Sequence, residues 1–379
     1  MVGGGEGAFI GDIHRAAARL DGVIDLVCGA FSSDAGNSYR TGVRLGLSPA
    51  RVYADWQTLL EREAALPAGA RMEFVSIVTP NDLHLPVAVR ALESGFHVLS
   101  EKPATRTLGE ARLLAQAVAE HRRCYAMTHT YLGYPMIAEA RARILEGSIG
   151  TVRRVNVSYV QGWLASSVET SGNKQAQWRT DPQRAGAGGC VADIGVHAFN
   201  LAEYVTGLDV TQLCASLGAS LPGRKLDDDA AAFLRFRNGA RGMLTASQIA
   251  TGEANDLSIH VYGATGGLAW SHGDPNALQL LGSDGTAQTL RAGTQLNALH
   301  PATLEFCRTP IGHPEGFLEA FANLYRAFAA DVRAPGASAG RVGRSPATID
   351  AALRGMAFID AMVRSNESGQ RWMELTADS

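Results

Sequence analysis

Apolar runs of strand length alternate with segments of helical periodicity through the first third of this chain, and that alternation leaves few folds open to it. Glu73-Phe74-Val75-Ser76-Ile77-Val78 predicts a strand, Thr79-Pro80-Asn81-Asp82 a turn, and Leu85 to Ser94 a helix. Phe96 to Ser100 then predicts a second strand, ending in Glu101-Lys102-Pro103, before a helix from Leu108 to about Glu120. Cys124 to Thr128 predicts a closing strand, and Leu132 to Leu145 a helix leading away from it. Upstream, the apolar run Asp25 to Phe31 suits a buried parallel strand. Strands and helices at this spacing build a parallel sheet covered on both faces. Ligands of such sheets collect at the carboxyl ends of the strands, where the TPND and EKP turns both fall.

The chain opens on a glycine-rich stretch, Met1 to Gly11, that leads into a helical pattern from about Asp12 to Leu20. Gly3 and Gly5 supply the first two glycines of a GxGxxG/A loop, and either Ala8 or, with three extra residues, Gly11 supplies the third. Such a loop lets backbone N–H groups at a helix start approach a pyrophosphate, so Gly3, Gly5, Ala8, Phe9 and Ile10 are candidate cofactor contacts. Only Met1 and Val2 stand before the glycines, although the first strand of such a sheet lies mid-sheet. The natural start is therefore expected upstream. After Phe31 come Ser32, Ser33 and Asp34. Asp34 suits the adenosine ribose of NAD, whereas Ser32 and Ser33 with Arg40 suit the 2′-phosphate of NADP, and the sequence leaves the two open.

From Val152 the texture changes. Val152 to Val160, Ala231 to Phe236, Gly242 to Ile249 and Leu257 to Tyr262 alternate, which predicts a mostly antiparallel sheet with one open face. Asn238-Gly239 predicts a hairpin turn within it. Phe317 to Asp331 and Pro346 to Asn366 predict helices, and the apolar stripe Phe317, Phe321, Leu324, Tyr325 and Phe328 reads as core packing. Arg333 to Arg344 reads as a surface loop. The expected division is a nucleotide-binding domain over residues 1–130 and a second α/β domain over 131–379, whose last helix can pack back on the first.

A chain of 379 residues suits two domains. With 46% hydrophobic and 19% charged residues and a net charge of -3, neither disorder nor nucleic-acid binding is supported. Five scattered cysteines without a CxxC predict reduced thiols in a cytoplasm, with no disulfide frame and no metal site. No apolar run of 18 residues or export signal is found, so no membrane role is expected.

Gly188 to His197, GGCVADIGVH, is the stretch richest in chemistry. A glycine pair permits a tight turn, and a helix beyond it places Asp193 and His197 one turn apart on a shared face. A carboxylate beside an imidazole can orient the ring and raise its affinity for a proton, which makes a general acid or base. Lys102 could set a cation beside a reacting oxygen. Tyr131, Gln161 and Trp163 are candidate pocket residues, since aromatic faces pack on sugar rings and an amide can read hydroxyls. His313 lies in a turn that could reach the same pocket.

Taken together, the glycine-rich start, Thr79-Pro80-Asn81 with His84, Glu101-Lys102-Pro103, Trp178-Arg179 and the GGxxxDxGxxH run resemble the family of glucose-fructose oxidoreductase, inositol dehydrogenase and MocA. The resemblance spans nearly the whole chain. It implies an N-terminal Rossmann domain with a parallel sheet, a C-terminal α/β domain with a mostly antiparallel open-faced sheet, and NAD or NADP bound between them. It implies Lys102, Asp193 and His197 as the catalytic trio, with Asp193 orienting Lys102 or His197 or holding a neighbouring substrate hydroxyl. Thr79, Pro80, Asn81, His84 and Glu101 with Lys102 would form the cofactor-contacting turns, and Trp178 with Arg179 would close over the cofactor. It further implies a homodimer or homotetramer. The segment Thr130 to Pro135 departs from the Asn and Arg that many members carry there, so substrate contacts do not transfer to it. The expected activity is hydride transfer from a secondary hydroxyl of a cyclic polyol, sugar or glycoside. An NAD-dependent glycosidase and a non-catalytic NAD(P)-binding sensor are the alternatives.

Overall fold

The computed structural model describes residues 1–294, 298–334 and 347–376. Two sheets organise it. In the first, β1 (Val2–Gly3), β2 (Phe74–Val78), β3 (His97–Ser100) and β4 (Tyr125–Met127) run parallel in that order. Their cores are nearly continuous runs of buried side chains, as two covered faces require. Helices Phe9–Leu20, His84–Glu93 and Leu108–His121 supply the connections.

The strand expected over Asp25 to Phe31 contracts to two parallel bridges, Val2 with Ala30 and Gly29 with Val52. Its backbone hydrogen bonds reach Met1, Gly3 and Gly5 on one side and Arg51 and Tyr53 on the other. These bridges still place β1 in the middle of the sheet.

The second sheet carries β5 (Val152–Val160), β6 (Val210–Gly218), β7 (Asp229–Phe236), β8 (Arg241–Ser247), β9 (Asp256–Gly263), β10 (Gly266–Ser271), β11 (Ala277–Gly282) and β12 (Ala287–Arg291). Its order is β12-β11-β10-β9-β5-β8-β7-β6, with a ninth strand beyond β6, and every pair is antiparallel except β5 with β8. Burial alternates strictly along β7, so one face packs inward and the other lies open. The open face exposes Phe233 and Met243, which are cross-strand partners, and Tyr262. Asn238-Gly239 forms the hairpin turn expected of it, with Gly239 at φ 86°.

The last third of the chain serves both sheets. β13 (Ala347–Thr348) adds antiparallel to β4 and completes the first sheet, whereas β14 (Met373–Glu374) edges the second beside β6. Helix Phe317–Arg333 packs on helix Phe9–Leu20, and its apolar stripe is buried as expected, although Tyr325 also carries a polar role described below. Helix Ile349–Glu367 packs between helix Leu108–His121 and β6. The loop expected at 333–344 falls, from residue 335 on, outside the described residues. Helix Leu132 to Leu145 also starts later than expected. A 3₁₀ turn occupies Thr130–Gly133 and the helix begins at Pro135, where the missing N–H costs nothing. Among the described residues no helix is long and apolar enough to cross a membrane, and all five cysteines are free thiols.

Candidate active site

Three segments meet at the carboxyl end of the first sheet: the glycine loop after β1, the Thr79 turn after β2 and the Lys102 turn after β3. The helix that follows Gly189 reaches them from the second sheet's side.

The glycine loop fits a dinucleotide. Gly3, Gly4 and Gly7 adopt positive φ, which side chains rarely tolerate. A Cβ at Gly11 would stand 2.5 Å from the Cα of Gly4, so Gly11, not Ala8, is the glycine that lets the helix approach the strand. Ala8 is the N-cap instead. Phe9 opens the helix with its side chain exposed, and Ile10 turns into the hydrophobic core, so both can offer only backbone at the helix start. A Cβ at Gly5 would meet the Phe31 carbonyl at 2.8 Å, which holds this loop against Ser32 and Ser33. Asp34 caps helix Ala35–Arg44 by accepting from the Asn37 N–H, and the Ser32 hydroxyl accepts from the Asp34 N–H.

The Thr79 turn presents a buried hydroxyl, Thr79 Oγ1, that has no hydrogen-bond partner among the described residues, as a group awaiting a ligand does. Asn81 donates to the Ala185 carbonyl at 3.0 Å, tying the turn to the second part of the chain. His84 does not face a cofactor. It is buried, and its ring nitrogens lie 3.0 Å from the Thr79 carbonyl and 2.7 Å from the Pro103 carbonyl, so it staples the two turns together. Glu101 also turns inward. Its carboxylate meets His14 Nε2 at 3.0 Å and the Thr128 hydroxyl, and His14 in turn meets Tyr325 at 2.7 Å. Burial would raise the Glu101 pKa, but His14, Lys102 and Thr128 together hold it down to about 2.

Lys102 and Asp193 form the centre. Lys102 Nζ donates to Asp193 Oδ1 at 2.8 Å and to the Asp193 carbonyl at 2.5 Å. Asp193 Oδ2 accepts from Gln248 at 2.8 Å and lies 3.2 Å from Arg179 Nε. Burial alone would push this carboxyl up, yet Lys102, Arg179 and Gln248 hold it far below the usual carboxylate range.

The local chain makes this possible. Val191–Gly195 is a π-helical turn that passes into the α-helix Val196–Thr206, where a regular α-helix was expected. The glycine pair permits a close approach, since a Cβ at Gly189 would strike the Asp227 carbonyl at 2.1 Å. The Asp227 carboxylate then takes the first free N–H groups, from Gly189 at 2.6 Å and Val191 at 2.8 Å.

Of the partners open to Asp193, Lys102 is the one it meets, and no Asp193 to His197 hydrogen bond is made. Asp193 is drawn to the lysine, and His197 Nδ1 lies 3.1 Å from His129 Nδ1 instead. The expected rise in proton affinity is reversed as well. Burial first, then the Lys102 ammonium and His129, hold His197 well below its ordinary 6.5, and the opposing pull of Asp193 is the smallest of these effects. His197 is therefore neutral at neutral pH.

Of the pocket candidates, Tyr131 packs its ring 5.1 Å from the His197 ring and meets the Tyr159 hydroxyl. Gln161 joins the same network through Asn255 at 2.7 Å and Tyr159 at 3.3 Å. Trp163 is half-buried beside it in sequence. Trp178 stacks under the Arg179 guanidinium at 4.2 Å, and both line a cleft with Asn81, Gly188, Asp193 and Gln248. His313 is not brought to the site. It is exposed on a loop held through Glu315 and Arg308 to Asp21, at the far end of the first helix. Sequence reasoning missed Gln248, His129, Tyr159, Asn255 and His14. Only His14 carried a readable signal, three residues after Gly11 on one helix face.

Residues 1–129 match the model of an oxidoreductase family with an NAD-binding Rossmann fold, and residues 137–269 match the GFO/IDH/MocA C-terminal domain. An uncharacterized oxidoreductase of Bacillus subtilis (strain 168) is 30% identical over 383 residues, covering 99% of this chain and 95% of its own. A levoglucosan dehydrogenase of Pseudarthrobacter phenanthrenivorans is 27% identical over 250 residues, 60% of each chain. Among solved structures, an inositol dehydrogenase homolog from Azotobacter vinelandii complexed with NADH and myo-inositol matches with a TM-score of 0.90 and 34% identity. That match covers 99% of this chain and 96% of the other.

Proposed function

The chain belongs to the Gfo/Idh/MocA family of NAD-binding oxidoreductases, and from that premise we propose that it oxidises a secondary hydroxyl of a cyclic polyol or sugar. The observation that carries the reading is the Lys102 to Asp193 pair beside a neutral, buried His197, set at the end of a glycine-loop sheet.

A bound nicotinamide supplies the hydride acceptor. The protein's own part is to move the hydroxyl proton and bear the charge on oxygen. His197, neutral at working pH, can accept that proton at the ring nitrogen His129 does not hold. Lys102, oriented through both oxygens of Asp193 it touches, can donate to the same oxygen as negative charge develops. Arg179 and Trp178 line the cleft on the Asp193 side. Tyr131, Gln161, Tyr159 and Asn255 offer an aromatic edge and amides suited to a ring bearing several hydroxyls. For the cofactor, NAD is favoured over NADP. Asp34 sets a carboxylate at the end of the Ala30 segment, and Arg40 leans toward Glu6 at 3.6 Å instead of standing free for a phosphate.

The open face of the second sheet, with Phe233, Met243 and Tyr262 exposed, supports pairing of subunits into a homodimer or homotetramer. Light scattering on the purified protein would report a monomer if that is wrong. The activity itself is tested by following NAD⁺ and NADP⁺ reduction across inositols, aldoses, anhydrosugars and glycosides. Reduction of NAD⁺ with one cyclic polyol or sugar is expected. Cofactor binding without reduction anywhere in the panel would overturn the proposal, and chromogenic glycosides would then separate a glycosidase from a sensor.

A further inference from the structure

Two buried histidines face each other beside the proposed reaction centre, and neither ring contacts the carboxylate that would ordinarily orient one of them. His129, at the end of β4, and His197 are 2% and 8% exposed, with ring centroids 4.9 Å apart and planes at 89°. Their Nδ1 atoms lie 3.1 Å apart, so one hydrogen must sit between two nitrogens. Asp193 is already occupied by Lys102, Arg179 and Gln248 and is not the partner of His197.

We propose that His129 is a positioning residue that fixes the tautomer of His197, accepting a hydrogen bond from His197 Nδ1–H so that His197 Nε2 presents its lone pair to the substrate hydroxyl. The inference rests on the reading of His197 as the base. In that tautomer His197 can take a hydroxyl proton onto Nε2 and become an imidazolium whose Nδ1–H remains bonded to His129. The opposite arrangement, with the hydrogen on His129 Nδ1, would place an N–H on His197 Nε2 and leave no basic nitrogen for the substrate.

His129 is not a second stop for the proton. As an acceptor at Nδ1, His129 carries its own hydrogen on Nε2, which is buried with no partner among the described residues, so a second proton would charge a ring with no acceptor to share that charge. Burial and the Lys102 ammonium resist that charge and hold the His129 pKa down to about 3. The role is one usually given to a carboxylate, here filled by a neutral acceptor, which suits a pocket where Asp193 already holds the lysine and Glu101 is held by His14 and Thr128.

Nitrogen-15 NMR of histidine-labelled protein loaded with NAD⁺ tests the tautomer directly, with the two rings assigned from His129→Asn and His197→Asn spectra. Protonated Nδ1 and bare Nε2 on His197 are expected, and the reverse would overturn the inference. Kinetics with NAD⁺ and myo-inositol give the second readout. His129→Phe, which keeps the ring's volume without an acceptor, is expected to lower kcat by about 10- to 100-fold with little change in KM or in NAD⁺ binding. His129→Asn, whose carbonyl oxygen can take the place of Nδ1, is expected to recover most of that loss. A His129→Phe kcat within twofold of the parent would overturn the role. His197→Asn separates the two claims. If it retains turnover, the base reading falls; if it abolishes turnover while His129→Phe does not, only the role of His129 falls.

Discussion

Lys102 Nζ and Asp193 Oδ1 stand 2.8 Å apart across 91 residues of sequence, joining the end of β3 to the helix that leaves the second sheet. The pair ties the turn after β3 to the π-helical turn Val191–Gly195, which packs on β8. Lys102→Ala is expected to reduce kcat by on the order of 10²-fold or more while NAD⁺ affinity stays within a few-fold, because the lysine acts on oxygen charge that develops only during reaction. Tryptophan fluorescence titration with NAD⁺ alongside steady-state rates would check both halves. Unchanged turnover would remove the lysine from the mechanism.

The pH profile follows from the sign of the His197 shift. A histidine whose proton affinity is depressed stays unprotonated to lower pH, so the base remains available below its ordinary 6.5. The acid limb of kcat/KM is therefore expected well below pH 6.5. Asp193 is the one neighbour that supports the charged ring, so Asp193→Asn should move the limb lower still, in addition to lowering kcat. A parent limb at or above 6.5 would contradict the arrangement.

Gly11→Ala separates the two candidates for the third loop glycine. Its new methyl would stand 2.5 Å from both the Cα and the carbonyl oxygen of Gly4, backbone that cannot swing aside. A loss of roughly 1–3 kcal/mol in stability and a clear fall in NAD⁺ affinity are expected. Ala8→Gly, at the N-cap, should leave NAD⁺ affinity nearly unchanged. Differential scanning fluorimetry with and without NAD⁺ reports both.

Glu101→Gln tests the buried network beneath the lysine. Removing this charge leaves His14 and Thr128 facing an amide, and breaking a buried pair typically costs about 3–5 kcal/mol. The Glu101 pKa lies below its ordinary 4.5, near 2, so its contribution is complete above 4.5 and fades as pH falls from there toward 2. The gap in melting temperature between parent and variant should therefore be constant at neutral pH and close on acidification. A gap indifferent to pH below 4.5 would argue against an ionised Glu101.

Most elements were legible because their periodicity reflects what each face touches. β7 alternates because one face is open, and β2 runs apolar because both faces are covered. The segment Asp25 to Phe31 pairs in parallel on both sides as expected, but over single bridges, because apolar length does not tell how far its neighbours run alongside it. At the site, Lys102 and Asp193 stood out through local motifs, but their partnership depends on two sheets meeting. The spacing of Asp193 and His197 suggested that they serve each other. A π-helical turn and a nearby lysine decided otherwise, and neither is written in a four-residue interval. His129 lacked a signal altogether, since a lone histidine after a strand acquires meaning only from the ring opposite it.

β13 gives the nucleotide-binding sheet its last strand from residues 347–348, and Tyr325 meets His14 from a helix some three hundred residues downstream. During synthesis, then, the first half of the protein leaves the ribosome with an unpaired edge beside β4 and with the back of its first helix bare. It must wait for nearly the whole chain before either is covered. Maturation of the cofactor site is thereby tied to completion of translation, and a prematurely terminated product would carry the glycine loop without the scaffold that steadies it.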